Sequence, residues 1–172
     1  AVAVADHYAY VANLYGGLCI YDVANPTNPV SMSATADGTD ARSVAVAGNY
    51  AYLANYDDGL RIYRVTNPAS PANVAHKDDG GLALGVAVAG DYAYLANDSD
   101  GLRIYTITNP ASPVGIGHTN DAGMAKGVTV SGDYAYVATN SYMLGVIDVS
   151  NPTAPFLAGS VTLAGNGTAL AV

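Results

Sequence analysis

Short apolar stretches alternate with polar punctuation along the whole chain. From Val86 the order is Val-Ala-Val-Ala, then Gly-Asp, then Tyr-Ala-Tyr-Leu-Ala, then the polar run Asn97 to Gly101. Runs this short, bounded by Gly, Asn, Asp and Pro, read as strands rather than helices. In this stretch they predict four strands: a over 86–89, b over 92–96, c over 102–107 and d over 114–118. The two-residue Gly90-Asp91 joint predicts a tight a–b hairpin. Asn109-Pro-Ala-Ser-Pro113 predicts the c–d turn, because proline fixes φ and has no N–H for a sheet ladder.

The same pattern returns with a period of 42. Val44–Asn55 recurs as Val86–Asn97 and as Val128–Thr139, after an earlier copy over Val2–Asn13. Copies two and three agree at 28 of 42 positions, so one set of strand boundaries serves both. All eight prolines fall in one Asn-Pro-x-x-Pro motif, beginning at Asn25, Asn67, Asn109 and Asn151. The repeats are therefore 2–43, 44–85, 86–127 and 128–169, with 170–172 beginning a further copy. A four-stranded unit of this length predicts an all-β chain of β-propeller blades. The Ala and Val of strand a suit the crowded innermost position of such a blade. Both ends carry a strand a segment, Val2-Ala-Val4 and Leu170-Ala-Val172, so neither end complements the other. The expectation is a partial, open propeller cut from about six to eight blades. Its partners would be the remaining blades of the same chain or, for the segment alone, a second copy.

Two stretches carry a resemblance to a known family. Gly17-Leu-Cys-Ile-Tyr-Asp22-Val-Ala-Asn-Pro26 and, above all, Leu144-Gly-Val-Ile-Asp148-Val-Ser-Asn-Pro152 resemble the LVIVD repeat. The motif Asp is kept at Asp22 and Asp148 and replaced by Arg64 and Thr106 in the middle copies. The resemblance implies a β-propeller, and an exported or cell-surface prokaryotic protein. It carries over no catalytic residue.

Composition narrows the picture. Glu and Gln are absent and the chain has only two Lys, which removes most residues of exposed helix faces. A net charge of −8 disfavours nucleic acid and anionic membrane surfaces, which need Lys and Arg to displace counterions. No apolar run approaches the roughly 18 residues that cross a bilayer, so no membrane insertion is expected. No start Met or signal peptide is visible, so a targeting segment either never existed or lies outside these residues. Cys19 is the sole cysteine and reads as a small buried hydrophobe.

The candidate chemistry lies in loops. Antiparallel blades put b–c and d–a loops at one end, where Asp57, Asp58, Asp98, Asp100, Asp37, Asp40, Asp78, Asp79 and Asp121 gather. The expected interaction face comprises Asp37, Asp57, Asp58, Asp79, Asp98, Asp100 and Asp121, with Tyr15, Tyr56 and Tyr142 as exposed contacts for a protein or carbohydrate ligand. The competing reading is that Asp fills turns for backbone reasons alone. Asn97-Asp98-Ser99-Asp100-Gly101 offers alternating oxygens suited to Ca²⁺, with Asn97, Asp98 and Asp100 as ligands. It lacks the later bidentate acid of a helix-loop-helix calcium site, so no cofactor is otherwise expected.

The Tyr-Ala-Tyr pairs, such as Tyr92 and Tyr94, share one side of strand b and are expected to pack on the next blade. His76 and His118 occupy one repeat column in separate blades, and Arg61 and Arg103 are expected either to pair with a nearby Asp or to lay their stems along the blade. No nucleophile elbow, phosphate loop or dinucleotide fingerprint occurs. The reading is a non-catalytic binding module. The alternatives are a propeller hydrolase with axial Asp residues and a purely structural segment.

Overall fold

The computed structural model describes residues 1–36, 40–78, 80–141 and 143–164. Leu170-Ala171-Val172, the start of a further copy, lie outside them. Sixteen strands follow in chain order. The first blade is β1 (Val2–Ala5), β2 (Tyr8–Ala12), β3 (Leu18–Asp22) and β4 (Val30–Thr35). The second is β5 (Ser43–Ala47), β6 (Tyr50–Ala54), β7 (Leu60–Arg64) and β8 (Ala72–Lys77). The third is β9 (Gly85–Ala89), β10 (Tyr92–Ala96), β11 (Leu102–Thr106) and β12 (Val114–Thr119). The fourth is β13 (Ala125–Ser131), β14 (Tyr134–Thr139), β15 (Met143–Asp148) and β16 (Phe156–Thr162). Each blade is a separate antiparallel sheet in chain order, so strands a, b, c and d lie side by side four times over.

The turns explain the strand boundaries. The first residue of each a–b hairpin has positive φ: 54° at Gly48, 55° at Gly90 and 57° at Gly132. Glycine takes that conformation without a Cβ clash, whereas the first blade puts Asp6 there at 53°. At the c–d turns the Asn side chain accepts the N–H two residues on, as Asn25 does from Thr27 at 3.2 Å. The Asn backbone carbonyl takes the N–H three residues on, at 2.9 Å from Asn109 to Ser112. A bulge recurs at one place between strands c and d, after Ile20, Ile62, Ile104 and Val146.

Packing runs from blade to blade. One face of a blade turns forward: in the second blade Tyr52, Ala54, Leu60 and Ile62 are buried there. It meets Ala83, Val86, Ala93, Leu95, Tyr105 and Ile107, the backward face of the third. The same arrangement joins blade one to two and three to four. Tyr10, Tyr52 and Tyr94 are thus core, and burial pushes their phenols above the ordinary pKa.

Among the described residues the terminal faces have no such cover. Val44, Val86 and Val128 are 6%, 7% and 8% exposed, while Val2 at the same position of the first blade is 64% exposed. The row of blades is therefore open. Its inner strands still approach closely: a Cβ on Gly85 would sit 3.0 Å from the Cα of Gly127. At the mouth of the axis they line an open cavity of about 400 Å³ bordered by Arg42, Val44, Leu84, Val86, Lys126 and Val128.

Candidate functional site

The b–c loops of the first three blades are built on one repeated frame. The loop closes when Asn13, Asn55 and Asn97 donate their backbone N–H to the carbonyls of Gly17, Gly59 and Gly101, at 3.0, 2.8 and 2.8 Å. The next residue has positive φ: Leu14 at 44°, Tyr56 at 52° and Asp98 at 50°. That turn sends its backbone across to the following blade. Leu14 pairs with Ala41, Tyr56 with Ala83 and Asp98 with Ala125, each through a two-way exchange of N–H and carbonyl at 2.8–3.1 Å. Three buried alanines thus latch each loop to the start of the next blade.

The loop acids divide into two groups. Asp58 is bound by Arg61, and the Asn55 amide donates to its Oδ2 at 3.1 Å. Nε2 of His76 stands 2.8 Å from the Asp58 carbonyl and 3.0 Å from its Oδ1. Both are acceptors, so the proton belongs on Nε2. The third blade repeats the set: Arg103 binds Asp100, Asn97 donates at 3.0 Å, and His118 stands 2.7 Å from the Asp100 carbonyl. Partial burial works to raise both carboxyls. The hydrogen bonds from Arg61 and Asn55, or Arg103 and Asn97, with the nearby charges outweigh it and hold both below the ordinary value. Lys126 reaches back from the fourth blade to Asp98 at 2.5 Å, and Arg42 binds Asp40 at 2.5 Å. Asp57 and Asp121 stand exposed, while Asp37 and Asp79 lie outside the described residues.

The expected contacts separate in the same way. Tyr15 occupies the tip of its loop and is 74% exposed. Tyr56 sits at the latch position instead, half-buried, with the Arg42 guanidinium 4.7 Å from its ring centroid. Tyr142 lies outside the described residues. For Ca²⁺, the oxygens of Asp98 and Asp100 turn to Lys126 and Arg103, and the Asn97 amide nitrogen points at Asp100. Among the described residues no group of three His, Cys, Asp or Glu side chains is placed to hold a metal ion.

Sequence reasoning offered the arginines an Asp partner or a stem laid along the blade, of which the first is found, and missed the histidines. A signal was present. Asp, Arg and His occupy the three positions together in copies two and three. Copy one carries Gly16, Cys19 and Ala34 there, and copy four Tyr142, Gly145 and Ser160. The three residue types come and go as a set. Where Arg is absent the space is filled otherwise: Cys19 Sγ lies 3.7 Å from the Asn13 amide, and a Cβ on Gly145 would lie 2.7 Å from that of Ala122.

Four antiparallel four-stranded sheets packed face to face, with their first strands innermost, make this a segment of a β-propeller. The LVIVD repeat matches residues 1–37, 38–78, 80–121 and 122–163, and the chain belongs to the LVIVD-repeat family. No curated protein matches it. Among solved structures it is similar to the computationally designed Ika8 protein, with a TM-score of 0.75 and 9% identity over 99% of this chain and 51% of that one. It is also similar to a functionally unknown protein from Desulfotomaculum acetoxidans DSM 771, with a TM-score of 0.79 and 15% identity over 96% of this chain and 57% of that one. The chain thus spans about half the length of these two structures. No helix among the described residues is long and apolar enough to cross a membrane.

Proposed function

We propose that this segment is a non-catalytic binding module, of an exported or cell-surface protein, that engages a protein or carbohydrate ligand through its b–c and d–a loop face. One observation carries the reading. The latched loop frame is repeated from blade to blade, yet the residue at its tip differs: Tyr15, Asp57 and Ser99, all exposed. A constant backbone frame that carries a different exposed side chain in each of three blades is the arrangement of a recognition surface. Asp121 extends the same face from a d–a loop. The location rests on family resemblance alone.

The test is a glycan array together with capture of extracellular proteins. The wild-type segment is compared with a Tyr15→Ala, Asp57→Lys, Asp121→Lys variant and with a Thr27→Lys, Thr153→Lys control on the proline-rich turns. Ligands lost only from the loop variant support the reading; ligands retained equally by all three sink it. The purely structural reading has its own support, because Asp40, Asp58, Asp98 and Asp100 are occupied by cations of the same chain. It expects no specific ligand in either screen.

A further inference from the structure

We propose that the outer edge of the third blade is a docking site of its own, where a short extended segment of another protein, apolar at one end and acidic at the other, adds as a fifth strand beside β12. β12 is the last strand of its sheet, so one side of its backbone has no strand beside it among the described residues. Along that side runs an open groove of about 500 Å³, a volume in the range of ligand sites. Six consecutive residues, Pro113 to His118, border it. Six residues of strand span about 20 Å, so the groove follows the strand from its proline turn to the loop face. Lys77 of the second blade and Thr153 of the fourth flank it, so the neighbours on both sides are in place.

Two glycines bare this edge. Gly115 and Gly117 stand where the second blade has Asn73 and Ala75 and the first has Ser31 and Ser33. Gly115 is exposed, and a strand without a side chain there lets another backbone approach. A Cβ on Gly117 would collide with the Pro152 carbonyl, so this glycine seats the fourth blade's proline turn against the groove. The bulge after Ile104 twists the edge, which guards it against long sheet-to-sheet pairing and leaves room for a short segment. The two ends differ in chemistry. Pro113 and Val114, the latter 52% exposed, make the apolar end. Lys77, Arg103 and His118 gather at the other. Of the six Lys and Arg in a chain with fourteen acids, two border this groove, and no acid among the described residues does. Asp100 offsets part of that charge through Arg103 and His118. Main-chain hydrogen bonds from the bare edge serve any extended segment, and the charged end selects one with an acid placed beside it.

The test selects displayed random hexapeptides on the 172-residue chain and measures the enriched ones by fluorescence anisotropy. Enrichment of β-branched residues with Asp or Glu at one end is expected. Two N-methylated forms of the best hexapeptide, each blocking alternate amides, separate strand addition from capture by side chains. One form is expected to bind about ten-fold or more weakly and the other to keep its affinity, because only one set of amides faces the edge. Gly115→Tyr is expected to weaken binding by about ten-fold or more, since its ring fills the approach. Gly115→Asn, the residue of the second blade, takes its place if circular dichroism shows that variant unfolded. Lys77→Thr carries the residue of the first and third blades at that position. It is expected to cost about three- to five-fold and to make binding less sensitive to added salt. The Tyr15→Ala, Asp57→Lys, Asp121→Lys variant is expected to bind the hexapeptide as wild type does, which separates this edge from the loop face. No enrichment, equal behaviour of the two N-methylated forms, full binding by the folded Gly115 variant, or loss only in the loop variant each overturn the proposal.

Discussion

The junction between the second and third blades and the bare face of the fourth are made from the same repeat, yet differ in what they bury. At the junction Tyr52, Leu60 and Ile62 are sealed by Val86, Leu95 and Tyr105. On the fourth blade Tyr136, Leu144 and Val146 have the same strand positions but are only half-buried, with no blade in front of them among the described residues. Strand formation is thus local, and burial is not. Hairpins, proline turns and c–d bulges recur in the terminal blades as in the inner ones, because they depend on residues within one unit. The hydrophobic contribution depends on the neighbour.

The largest effect that tests this contrast is a truncation made at both sites. Leu60→Ala is expected to cost about 2–5 kcal/mol in urea unfolding, as a fully buried Leu does. Leu144→Ala, one half-buried position further along the repeat, is expected to cost about 1 kcal/mol or less, because less apolar area returns to water. Equal costs would mean that the terminal face is as well covered as the inner one. Next in size is Gly101→Ala. Gly101 has φ of 77°, and a Cβ there would collide with the Thr119 carbonyl. A loss of about 1–3 kcal/mol is expected from the strained backbone and the collision, read from the thermal midpoint.

A smaller effect separates the middle blades by pH. Asp58 and Asp100 have lowered pKa values in the folded chain. Their contribution is present above the ordinary carboxylate value of 3.8 and is lost as pH falls through the lower folded values. The Asp58→Asn, Asp100→Asn double variant is therefore expected to be less stable than wild type at pH 7. The gap narrows as the pH of a urea titration is brought below 3.8. A gap that stays constant with pH would show that these networks do not depend on ionised Asp. The smallest effect is favourable. Asp6 occupies a positive-φ position that three other hairpins give to glycine, so Asp6→Gly is expected to raise stability by up to about 1 kcal/mol.

Much of the fold is legible residue by residue. The b strand over 92–96 is found as β10, and strands a, c and d shift by a single residue at one end. The loop face was harder to read. That Arg61 would find an Asp was foreseeable. That Lys126 would leave its own blade for Asp98 was not, because the two are 28 residues apart and meet only when blades stack. Tyr15 and Tyr56 look alike as loop tyrosines. They differ because Tyr56 stands one place earlier in the loop, where the left-handed turn pins the backbone to Ala83.

Period, turn chemistry and strand alternation are local properties. They are written in residues a few places apart, so the chain alone determines blades of four strands and the family to which they belong. Which apolar faces are covered, which acids are neutralised and which loop residues remain exposed are set by contacts between units about 42 residues apart, one blade against the next. Those emerge only once the blades are stacked, because burial belongs to a pair of surfaces and a repeat specifies only one of them at a time.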